Sequence, residues 1–155
     1  MLLTAAVAGF LAWANLAWQK SRPYQRTAIP ESLSTLNDVQ AICKSLGHNA
    51  SSYSAGGGGS GGMHSTTRSY DCHIDLPKDL HGPFMAAYRQ HVKGVLDKHA
   101  AGVYGAGSTS GGGGLRGFEY QYDRGSTQGT VIVRSVGSEQ ELALMVFVHE
   151  QDAPP

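Results

Sequence analysis

Charge is scarce in this chain: acidic and basic residues together are 15% of its 155 positions, against about a quarter in an ordinary globular domain. Twelve Lys and Arg balance twelve Asp and Glu. No basic cluster exists beyond the short group Lys20, Arg22 and Arg26. A protein that reads nucleic acid needs a positive field to condense on phosphates, so the balance argues against that partner. Only two cysteines are present, which excludes a disulfide-dense scaffold and every paired Cys-x-x-Cys zinc motif. No Gly-Lys-Ser or Gly-Lys-Thr occurs, so no phosphate-binding loop is indicated.

Glycine, by contrast, is abundant at 21 residues, close to twice the usual share. Much of it lies in two tracts, Gly56 to Gly62 and Gly105 to Gly114. Formal matches inside the first tract to a dinucleotide fingerprint (Gly56, Gly58, Gly61) and to a nucleophile elbow (Gly58, Ser60, Gly62) lack the strand-then-helix context that both motifs require. Serine and glycine give no means of burying surface, so the segments at about 50–64 and 102–115 are expected to be disordered loops outside the packed body.

Residues 2 to 18 carry no charge and at helical rise would cover about 25 Å of hydrocarbon. Trp13 and Trp18 sit near the end of this run, and the three basic residues follow it, the order of a membrane anchor. Ala12-Trp13-Ala14 offers the small-x-small spacing of a signal-peptide cleavage site, although no Lys or Arg precedes the apolar run. Residues 1–19 are therefore expected to be a membrane anchor or signal peptide that supplies contact with a membrane, residues 20–30 a linker, residues 31–151 one α+β domain and residues 152–155 a tail. The basic group after the apolar run favours a cytoplasmic domain. The cysteines favour export, because Cys43 and Cys72 form a candidate disulfide; two buried free thiols are the alternative. A membrane-associated or exported location on the extracytoplasmic side is the expectation.

Within the domain, Leu33, Leu36, Val39, Cys43 and Leu46 recur at helical spacing, with Ser32 or Ser34 as N-cap and Gly47 at the left-handed position past the end. Tyr70, Cys72, Ile74 and Leu76 alternate like a half-buried strand. Pro83 suits the first turn of a second helix with the stripe Phe84, Tyr88, Val92, Val95 and His99. A meander follows: Phe118, Tyr120 and Tyr122, then Val131 and Val133, then the apolar run Leu142 to Val148. The pattern predicts a two-layer α+β fold, a roughly four-stranded, mostly antiparallel sheet with two helices on one face, preceded by an N-terminal hydrophobic helix.

Candidate chemistry is thin. His73, His149 and Glu150 are the polar residues that would carry hydrolysis, with Asp71 beside His73, but solvated strand residues and strand ends account for them better. Seven histidines raise a metal site, but Cys72 and His73 fall on opposite faces of a strand, and His91 and His99 lack a ligand spacing, so no metal and no cofactor is expected. Phe118, Tyr120 and Tyr122 would stack on bases or sugars if exposed, or pack beneath a helix if not. Asn49-Ala50-Ser51 is a glycosylation sequon, meaningful only on a eukaryotic secretory route. The residues point to a non-catalytic, membrane-anchored or exported accessory or interaction module with a protein partner and no nucleic acid, its small-molecule ligand, if any, unknown. The alternatives are a small extracytoplasmic hydrolase-like enzyme or a structural, oligomerising envelope protein.

Overall fold

A computed structural model describes residues 29–33, 36–100, 102–110 and 116–152 of the chain. Its elements are α1 (Ile29–Ser32), α2 (Leu36–Ser45), β1 (Ser52–Gly61), β2 (Ser65–Asp75), α3 (Lys78–His99), β3 (Gly102–Ser110), β4 (Arg116–Arg124), β5 (Thr127–Gly137) and β6 (Glu141–Asp152). The six strands form one antiparallel sheet in the order β1-β2-β6-β5-β4-β3. The chain lays down a hairpin, crosses the sheet with α3, and returns in a four-stranded meander whose last strand closes against the first hairpin.

This corrects the expected four-stranded sheet with two helices on one face. Among the described residues there are six strands, one long helix crosses them, and α1 and α2 are short. The two additional strands, β1 and β3, lie in the segments at about 50–64 and 102–115 that were expected to be disordered loops; residues 111–115 lie outside the described residues. Strand propensity mostly measures how side chains pack on a pleated surface, and glycine has none to pack. Here the ladder supplies the stability instead: β2 holds β1 in register from Gly56 opposite Asp71 to Gly61 opposite Thr66, and β4 holds β3. The connection Gly62 to His64 is short enough for a hairpin, closed by the Gly62 N–H donating to the Ser65 carbonyl (2.8 Å).

No helix among the described residues is long and apolar enough to cross a membrane. The expected transmembrane helix or signal peptide has no counterpart there. Residues 1–28, on which that expectation and the N-terminal hydrophobic helix rest, lie outside the described residues, as does Ser34 as a cap.

The core lies between one sheet face and the helices. On α3, Phe84, Tyr88, Val92 and Leu96 are fully buried at four-residue spacing, each worth about 1.5–3 kcal/mol of transfer from water. They meet Phe118, Tyr120 and Tyr122 of β4, Val131 and Val133 of β5, and Leu142, Leu144, Val146 and Val148 of β6. The aromatic alternation on β4 is therefore core and not an exposed stacking surface. The helix begins five residues before Pro83, because the Leu76 and Lys78 amides bond the Gln140 and Glu139 carbonyls of the β5–β6 turn and fix the chain there. His99, expected in the stripe, is exposed, and Leu96 is buried in its place.

Helix α2 ends as its sequence implies. Gly47 has φ +78°, and the Gly47 and His48 amides donate to the Lys44 and Cys43 carbonyls (3.0 and 3.1 Å), a Schellman arrangement that only a residue without Cβ adopts cheaply. Val39 and Cys43 point into the core. Cys43 and Cys72 are both buried free thiols, so the candidate disulfide is not formed. Burial raises both thiol pKa values, that of Cys72 to about 11.

Candidate functional site

The residues expected to carry chemistry do not converge. His73 stands on β2 opposite Ala143, on the face away from the helices, and contacts the Glu141 carboxylate. His149 shares that face but sits on β6 six positions further along, which at strand rise is about 20 Å away, and there its Nδ1 pairs with the Thr67 hydroxyl at 2.8 Å. Glu150 points the other way, fully buried, and accepts a hydrogen bond from the Tyr122 hydroxyl at 2.6 Å. Thr66 and Gly129 flank Glu150 on the neighbouring strands. The Tyr122 ring lies so flat on Gly129 that a Cβ there would stand 2.1 Å from it. Glu150 is thus part of a packed polar cluster in the core, on the opposite face of the sheet from both histidines.

Among the described residues, no three His, Cys, Asp or Glu side chains gather into a group able to hold a metal ion. His91 approaches Asp38 of α2 at 3.7 Å, a contact between packed helices. His99 is exposed at the end of α3, and Asp71 and Asp75 stand on β2 with no histidine cluster around them.

The feature that does open to solvent lies at the β1 edge. Strand β2 presents Thr66, Arg68 and Tyr70 on the helix-facing side, by the alternation that also buries Cys72 and Ile74. Opposite them on β1 stand Gly61, Gly59 and Gly57. A cross-strand neighbour normally fills the space beside each such side chain, with Cβ atoms about 4.5–5.5 Å apart. Here three successive neighbours are hydrogen atoms. The result is an open groove, about 620 Å³ including its mouth, floored by glycine backbone and walled by Arg68, Tyr70 and Thr66.

Arg68 is the charged side chain of that wall. Its Nη1 donates to the Glu31 carboxylate of α1 at 2.9 Å, the guanidinium side chain being 19% exposed and Glu31 66%. The Tyr70 hydroxyl, buried and without a hydrogen bond of regular geometry, and then Glu31, hold the guanidinium charged and raise its pKa further. On the far side of Tyr70 a narrower crevice runs beneath α2 past Val39, Cys72 and Tyr88.

Among the described residues no strand pairs with the outer edge of β1. It contains no charged residue and no proline from Ser52 to Gly61, whereas sheet edges are usually blunted by lysine, proline or a bulge. A register shift between Ser54 and Gly56 leaves Gly56 to Gly61 as an unbroken run. The opposite edge differs: β3 is interrupted between Tyr104 and Gly107, with Gly105 at φ +72°, and so presents shorter stretches.

None of these groove residues stood out in the sequence. The available signal was indirect: the β2 alternation extends backwards through Tyr70, Arg68 and Thr66, and a short Met63-His64 connection joins it to the tract, which together spell a hairpin. Comparison of the chain with known protein families, characterised proteins and solved structures finds no match.

Proposed function

We propose that the chain is a non-catalytic interaction module that works by capturing an extended segment of a partner polypeptide on β1. The observation that carries this reading is the glycine-rich edge, uncharged over Ser52 to Gly61 and glycine at five of the six positions from Gly56 to Gly61, with the Arg68 groove directly beside it. A strand added at this edge gains main-chain hydrogen bonds along Gly57 to Gly61, and alternate side chains of the added strand drop toward the groove. Glycine in the acceptor strand makes room for those side chains on both faces. The scattered positions of His73, His149 and Glu150 supply no comparable support for hydrolysis, since nucleophile and base must come within hydrogen-bond reach.

Panning a displayed heptapeptide library on the folded protein, followed by amide chemical-shift mapping of a selected peptide, tests this reading. Shifts concentrated at residues 56–61 and on β2 are expected. Shifts confined to the histidine-bearing face, or turnover of ester, peptide or glycoside substrates that depends on His73 or His149, would overturn it.

A further inference from the structure

We infer that the segment captured on β1 carries a glutamate at the position facing Gly59, and that Glu31 is a built-in competitor for the same guanidinium. This inference rests on the strand-capture reading above and specifies its ligand. An incoming strand would lie one strand spacing beyond β1, so the residue opposite Gly59 has its Cα two spacings, about 9.6 Å, from that of Arg68. Gly59 has no side chain between them. An arginine and a glutamate extended toward each other close that gap, whereas the shorter aspartate reaches less well.

The electrostatics choose the sign. Among the described residues, Arg68 is the charged one lining the groove, and the other lining side chains are Ser60, Thr66 and Tyr70. An acidic partner group therefore meets a complementary wall, and a lysine meets a repulsive one. The side-chain positions two residues to either side face Gly57 and Gly61, beside the Tyr70 ring and Thr66, where a β-branched apolar residue fits.

Glu31 is what Arg68 holds in the absence of a ligand. It belongs to a helix of four residues and is largely exposed, so its release costs little packing. A ligand carboxylate must displace it, which lowers apparent affinity and couples the groove to the position of α1.

The test uses the whole protein and a capped heptapeptide, Thr-Val-Thr-Glu-Thr-Val-Thr, with counterparts carrying Gln, Asp or Lys at the centre. Affinity is measured by fluorescence anisotropy, and the site by amide shifts at residues 56–61. The Glu peptide is expected to bind about tenfold more tightly than the Gln peptide, the scale of one charge-assisted hydrogen bond, with Asp between them and Lys weakest. Arg68→Gln should abolish the Glu-over-Gln preference, and Glu31→Gln should tighten the Glu peptide severalfold. Equal binding of all four peptides with shifts at residues 56–61 would overturn the glutamate inference and leave strand capture standing. Absence of shifts at those residues with every peptide would overturn both.

Discussion

Replacing Gly57 and Gly61 with alanine should stabilise the protein and impair the groove at once. Neither glycine has the positive φ that would require its special freedom; among described residues that holds for Gly47, Gly105 and Gly125. A Cβ on Gly57 would meet the Ser69 carbonyl oxygen at 3.5 Å and the Tyr70 ring at 3.7 Å, and one on Gly61 would meet the Thr66 hydroxyl at 3.6 Å, all ordinary contacts. At such sites alanine lowers the entropy of the unfolded chain and gains roughly 0.4–1 kcal/mol. The two positions are four residues apart in the strand, about 13 Å, so their effects should add to about 1–2 kcal/mol. With a urea slope of about 2 kcal/mol per molar, the unfolding midpoint should rise by roughly 0.5–1 M. The same two methyl groups stand on the groove floor, so binding of the Thr-Val-Thr-Glu-Thr-Val-Thr peptide should weaken. A lower midpoint in the double variant would refute the reasoning, because it would mean that folding itself requires these glycines.

Gly129→Ala should do the opposite. Its Cβ would overlap the Tyr122 ring at 2.1 Å, so the variant should lose about 2–3 kcal/mol or fail to fold in urea titration. Tyr122→Phe removes the donor to the buried Glu150 carboxylate, and the same titration should show a loss of about 1–3 kcal/mol. Burial of the Cys72 thiol raises its pKa from 9.0 to about 11. The folded state then keeps a proton that the unfolded chain releases, so this contribution to stability is complete below pH 9 and is lost as pH rises toward 11. Unfolding measured across that range should fall less steeply in Cys72→Ala than in the parent. Iodoacetamide at pH 8 should label neither Cys43 nor Cys72 in the native protein and both in urea, and intact mass without reductant should show two free thiols.

The parts of the fold that were legible in the sequence are those whose side chains decide their place. Tyr70, Cys72 and Ile74 on β2, the aromatic alternation on β4 and the run Leu142 to Val148 each have a face that must be buried, and the structure buries Cys72, Ile74, Tyr120, Tyr122 and Leu144 accordingly. Gly47 was legible because a left-handed helix terminus has a residue signature. Strands β1 and β3 were not legible. Their order comes from backbone bonds to a neighbour, and no local pattern in Gly56-Gly57-Gly58-Gly59 announces such bonds. The start of α3 is illegible for a related reason, since the anchors of Leu76 and Lys78 are carbonyls more than sixty positions away.

The candidate site was hidden twice over. Its floor is the absence of side chains, and its charged wall, Arg68, reads as one more polar residue on a half-exposed strand until β1 is placed beside it. Histidine chemistry is versatile, but it needs convergent partners, and here His73 and His149 occupy distant points on one face and Glu150 the interior behind the other.

Residue-resolved amide hydrogen exchange over Ser52 to Gly61 addresses the β1 edge most directly. If β1 is a ladder-bonded edge strand, alternate amides facing β2 should exchange slowly and those facing outward quickly, and the outward set should gain protection when the heptapeptide is added. Uniformly fast exchange across the tract, with or without peptide, would contradict both the strand and the function proposed for it.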